Sequence, residues 1–185
     1  MPLPSTIFCT EFQVAGDYVV LKSAFIDTVE EAQAYYRQYL AASVKPVMCY
    51  GHEVRIRFER ENTHPYSEDL TPENAHEPQV QRKLGPGRFE VRAFSLERAR
   101  LLDDILPAIA QHTGVIFERS PQERKRRLHG RRLPDNQYLR VILRPEGESD
   151  FDWICVTAFP VPHRKWMEDQ RSPKTKFPPE KKTPR

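Results

Sequence analysis

The sequence predicts an α+β fold: a small, largely antiparallel sheet with a helix packed on one face. Three observations lead there. Strand-like alternation or apolar runs recur at 53–59, 115–117, 138–144 and 153–159, while helical spacing is confined to two segments. Ten Phe, seven Tyr and two Trp in 185 residues are enough aromatic material to build a core, and that length fits one domain with extensions. Seventeen Pro and three acidic or basic runs then mark where regular structure is interrupted.

Taken in order, Tyr18 to Leu21 is a short apolar run consistent with a strand. Thr28-Val29-Glu30-Glu31 spells a capping box, in which hydroxyl and carboxylate reciprocally satisfy backbone donors. Val29, Ala32, Tyr36 and Leu40 follow at helical spacing, so a helix is expected over 29–42, closed by Lys45-Pro46. Val54, Ile56 and Phe58 alternate with charged neighbours, giving a half-buried strand over 53–59. Residues 60 to 87 carry Pro65, Pro72, Pro78 and the Gly85-Pro86-Gly87 punctuation, and are expected to form one long loop. A helix over 95–112 follows, with Ser95 as N-cap and Leu102, Ile105, Leu106 and Ile109 as its apolar stripe; Pro107 should kink it. Val115 to Phe117 reads as a short strand leading into a basic loop over 119–132. Leu139, Val141 and Leu143 alternate with polar or outward positions, and Trp153 to Phe159 is apolar nearly throughout, as a central strand would be. Glu146-Gly147-Glu148-Ser149 suits a hairpin loop that pairs these last two strands antiparallel. From Pro160 to Arg185, six prolines and eight cations without periodicity predict a disordered tail, clearest from about 168 onward.

The charge is unevenly placed. Net charge is +3, yet Pro160–Arg185 carries +5 and Glu118–Arg132 carries another +5, so the rest of the chain carries −7. Arg predominates in the second run, at Arg124, Lys125, Arg126, Arg127, Arg131 and Arg132, and its guanidiniums suit contact with backbone phosphate. The ordinary alternative is a solvated basic loop. No apolar stretch approaches a membrane span, and Met1 to Cys9 has no secretory pattern. Cys9, Cys49 and Cys155 are far apart and odd in number, which argues against a disulfide framework or a zinc site. A reducing cytoplasm is the expected compartment, with Cys155 a small core residue.

Phosphate-cradling Gly-rich loops, nucleophile elbows and helical zinc motifs are all missing, and the six histidines show no metal-binding pairing, so any enzyme here is expected to work without cofactor or metal. One such chemistry is RNA cleavage by its own 2′-hydroxyl, which needs a base, an acid and cations for the developing phosphorane.

The runs RFEVRAFSLERARLLDDILPAI, VIFER, NQYLRVIL and WICVTAFP resemble the phage-associated branch of the barnase/EndoU/colicin/RelE-like (BECR-fold) nucleases. The matching pieces are His64 after the 53–59 strand, Arg98-Ala99 in the helix, Tyr138-Leu139-Arg140, and Val156-Thr157-Ala158-Phe159-Pro160. The resemblance covers about residues 50 to 162 and departs from a compact pattern in the insertion between His64 and Phe89. The expected division is an N-terminal β–α extension (1–45), a nuclease-type domain (46–162) and the basic tail (163–185); the resemblance concerns only the middle part and says nothing about the other two. It implies a metal-independent endoribonuclease acting on RNA such as tRNA, with an inhibitor or a phage protein as a further partner. In that reading His64 transfers the proton, Arg140 clamps phosphate, Thr157 donates to the same phosphate, and Arg98 and Tyr138 complete the cleft. His129 and His112 are the substitutes for His64. Each has an ordinary reading as well: surface histidine, exposed strand or helix arginine, strand threonine, packing tyrosine. A non-catalytic nucleic-acid-binding module and a phage or mobile-element accessory protein are the competing functions.

Overall fold

The computed structural model describes residues 22–49, 51–110, 115–120, 123–147, 149 and 151–171. At Thr28 the capping box forms as the sequence spells it. The Glu31 N–H donates to Thr28 Oγ1 at 3.2 Å, and the Glu31 carboxylate accepts from the Thr28 N–H at 3.1 Å. Helix α1 (Val29–Tyr35) starts there and runs on through a wider π-type turn, Tyr36–Leu40. Lys45-Pro46, read as a helix stop, instead opens β1 (Lys45–Cys49). A proline is tolerated there because β1 is the edge strand among the described ones, where one side of its backbone has no ladder partner. Gly51, at φ 77°, turns the chain into β2 (His52–Phe58), whose Val54, Ile56 and Phe58 face the core as the alternation requires.

The long loop expected over 60–87 is largely structured. A short 3₁₀ turn at His64–Tyr66 leads into β3 (Ser67–Asp69), and β4 (Gln79–Gly85) pairs with β5 (Arg88–Phe94) across Pro86-Gly87. These strands form a separate sheet in the order β3-β5-β4. They escape pattern reading because β4 buries only Val80, and its other residues are polar apart from Gly85 and the exposed Leu84. The Gly-Pro-Gly punctuation is the hairpin turn itself, with Gly87 at φ 66°.

The helix expected over 95–112 is broken into α2 (Leu96–Arg100), a 3₁₀ turn (Leu102–Asp104) and α3 (Ile105–Ala110). The break falls at Leu101, not at Pro107, which sits in the first turn of α3 where no intrahelical N–H is required. Ser23 takes up the groups freed by the break: its hydroxyl donates to the Arg100 carbonyl at 2.9 Å and accepts from the Asp103 N–H at 3.0 Å. Ser95 occupies the N-cap position without a side-chain hydrogen bond.

The main sheet has the order β1-β2-β9-β8-β7-β6, with β6 Val115–Ser120, β7 Glu123–Arg132, β8 Gln137–Pro145 and β9 Asp152–Pro162. All its pairings are antiparallel except β2 with β9. The apolar strand β9 is central, and the hairpin joining it to β8 forms where expected. The basic segment expected as a loop is strand β7, paired on both sides; a run of like charges hides the alternation that would have revealed it. The side chains of residues 115–129, which include Arg124, Lys125, Arg126 and Arg127, lie outside the described part, as do residues 1–21 and 172–185. The strand read at Tyr18–Leu21 and most of the expected tail therefore fall there too. The first nine residues read as tail, His163–Arg171, form helix α4.

One face of the main sheet carries the core. Ile56, Leu139 and Trp153 pack there with Ile105 and Ile109 of α3, and with Ala32, Tyr35 and Tyr36 from the N-terminal helix. Each such fully buried side chain contributes about 1.5–3 kcal/mol. Cys49 and Cys155 are buried, and burial pushes the Cys155 thiol up to about 12. On the opposite face Tyr138, Val161 and Trp166 form a smaller cluster under α4. Among the described residues no helix is long and apolar enough to cross a membrane.

Candidate active site

The site is built around a bulge in β9. The β8–β9 register steps from Ile142 opposite Thr157 to Leu143 opposite Cys155, leaving Val156 as the extra residue. Alternation beyond the bulge puts Thr157, Phe159 and Val161 on the face of Ile142, Arg140 and Tyr138, away from the main core.

Asn62, buried, fastens the His64 turn to this bulge. Its amide donates to the carbonyls of Cys155 (3.3 Å) and Val156 (2.8 Å), and its Oδ1 accepts from the His64 N–H at 3.2 Å. Thr157 adds a second fastening, its hydroxyl donating to the His64 carbonyl at 3.2 Å. The two residues, separated by 93 positions in sequence, thus meet, but the threonine hydroxyl is engaged by backbone.

The His64 imidazole is half-buried, with Nε2 3.5 Å from Glu90 Oε2. Glu90 also lies 3.3 Å from Arg92 and 4.0 Å from Arg82. Arg92 is buried and held by the Ser67 hydroxyl at 2.9 Å and by Asp69 at 2.6 Å. Burial, and secondarily the Arg92 charge, hold His64 below its ordinary value; Glu90 opposes this and Arg82 reinforces it. The ring is therefore neutral at pH 7.

Two guanidiniums flank Phe159. Arg98 places its Cζ 5.2 Å from the ring centroid and Arg140 places its own at 5.9 Å. Arg98 donates to the Ser67 carbonyl at 2.7 Å, and burial lowers its pKa without discharging it. Arg140 pairs with Asp169 of α4 at 3.1 Å, while its Nε is buried without a hydrogen-bond partner among the described residues. Tyr138 is not in this group: it stacks on Trp166 at 5.6 Å and serves packing. Arg131 pairs with Asp104 at 2.7 Å, and Arg132 is exposed.

Sequence reading missed Glu90, Arg92, Arg82, Asn62 and Phe159. The signal for the first two was the alternation Arg88, Glu90, Arg92, and for Arg82 its pairing opposite Glu90, legible only once the hairpin is known. Among the described residues no group of three or more His, Cys, Asp or Glu is placed to hold a metal ion. Compared with family models, with curated proteins and with solved structures, the chain has no match.

Proposed function

We propose that the chain is a metal-independent endoribonuclease that cleaves RNA by attack of a 2′-hydroxyl on the adjacent phosphate. The observation that carries this reading is that one face of β9 holds both the turn of half-buried His64, through Thr157, and two guanidiniums that share the Phe159 ring. A neutral imidazole takes the 2′-hydroxyl proton as the O2′–P bond forms. Glu90 beside Nε2 favours the ring proton there, leaves Nδ1 basic, and stabilises the imidazolium that results. Arg98 and Arg140 compensate the phosphorane charge, which two fixed cations in a partly desolvated setting do more strongly than water. The P–O5′ bond breaks, the leaving oxygen takes a proton from solvent water, and the products carry a 2′,3′-cyclic phosphate and a 5′-hydroxyl. Thr157 and Asn62 are positioning residues, and the basic strand β7 grips backbone phosphate without reading sequence.

Incubation with a defined RNA in EDTA tests this. Cyclic-phosphate ends are expected, and a 2′-deoxy substitution at the cut site should stop the reaction. Cleavage that survives 2′-deoxy substitution would contradict it. The Arg140–Asp169 pair favours one second reading, a nucleic-acid-binding module whose clamp is already engaged; RNA bound but never cut would support that instead.

A further inference from the structure

The β4–β5 hairpin has two chemically different faces. Arg82, Glu90 and Arg92 lie on the face turned to His64. The other face carries Phe89 opposite Lys83 and Val91 opposite Gln81. Phe89 is 59% exposed and Val91 38%, values that a packing role does not explain. Gln79, Gln81, Lys83, Phe89 and Val91 include no carboxylate, and Arg88 stands at the turn beside them. The outer strand, β4, ends its sheet, so its edge is unpaired among the described strands.

Along that edge runs a cleft of about 560 Å³ lined by Arg57, Arg60, Arg82 and Lys83, with Glu59 and Glu61 as its acids. Arg82 and Lys83 are neighbours on β4 whose side chains leave on opposite faces, yet both line the cleft. The cleft therefore reaches β4 at the two residues that stand opposite Glu90 and Phe89.

We propose that this hairpin is a platform for single-stranded RNA: Phe89 stacks on an unpaired base while Lys83, Arg88 and Arg60 take the flanking phosphates. This rests on the proposed function for its RNA partner and adds that the substrate is single-stranded. An exposed aromatic flanked by cations offers a face to any splayed base, whereas the bases of a duplex have no free faces to stack on it. An unpartnered apolar strand would equally suit a second protein chain, but the cations beside Phe89 and along the cleft complement a polyanion.

The test is anisotropy of a fluorescein-labelled single-stranded RNA dodecamer, 2′-O-methylated so that it cannot be cut, against the corresponding duplex. Phe89→Ala should weaken single-strand binding by about tenfold or more and leave duplex binding unchanged. Phe89→Trp should retain affinity and Phe89→Leu should not, which separates stacking from simple apolar packing. Lys83→Ala with Arg88→Ala should flatten the salt dependence. Single-strand affinity within twofold of wild type for Phe89→Ala, restoration by Phe89→Leu, or a loss of self-association in its place would each overturn the proposal. If Phe89-dependent binding is found but no RNA is cut, the platform stands and the nuclease reading falls. If RNA is cut while Phe89→Ala binds normally, the reverse holds.

Discussion

A single ring, that of His64, sets how the site responds to pH. Burial and the Arg92 charge favour its neutral form, so its folded value lies below the ordinary 6.5. The stability this contributes is complete above about pH 6.5 and is lost as pH falls through the lower folded value. The acid limb of kcat/KM should therefore have its midpoint below 6.5, and Glu90→Gln, by removing the influence that opposes the shift, should move that limb lower still. A limb that moves upward in Glu90→Gln would contradict the geometry. Arg92→Met should act in the opposite direction, raising the His64 value seen by NMR titration. It also strips the buried Ser67 hydroxyl of its donor, at a cost of about 1–3 kcal/mol in denaturant unfolding. At this scale the sequence named His64, Arg98, Arg140 and Thr157 because their residue types and motif context could be read. It did not name Glu90 or Arg92, whose relevance depends on a strand pairing. Nor could it show that the Thr157 hydroxyl is engaged by the His64 carbonyl.

Helix α4 shows what one element can control. Trp166 is fully buried against Gly130 of β7, where an added Cβ would stand 2.4 Å from the indole. Gly130→Ala should thus cost about 1–3 kcal/mol through overpacking and lower the thermal midpoint. Because α4 also brings Asp169 to Arg140, Asp169→Asn should release the guanidinium and raise RNA affinity a few-fold in a titration. Unchanged affinity would mean that Arg140 does not meet phosphate. Elements that bury an apolar face were legible: α1 with its capping box, β2, and the β8–β9 hairpin all lie where their patterns put them. Others were not. The β4 strand has one buried side chain, β7 is hidden in a charge run, and α4 was obscured by the Pro-rich composition around it.

Across the whole molecule, the N-terminal helix and the sheet share one core. Ala32 and Tyr36 are fully buried beside Ile56 and Trp153, so a fragment beginning at residue 46 should lose cooperative thermal unfolding rather than fold alone. A fragment with a sharp transition near that of the full chain would contradict this. The same core fixes β9 at the centre of the sheet, and β9 in turn carries Thr157, which holds the His64 turn, and Phe159, which Arg98 and Arg140 flank. The central claim is that this arrangement cuts RNA without a metal, and one comparison tests it most directly: wild type against His64→Ala on total RNA in EDTA, with fragment ends read by sequencing. Wild type should give discrete cuts, and His64→Ala should lose about 10²–10⁴ in rate, as removal of a proton-transfer group does. Cleavage by His64→Ala at the wild-type rate, or none by the wild type, would contradict the account.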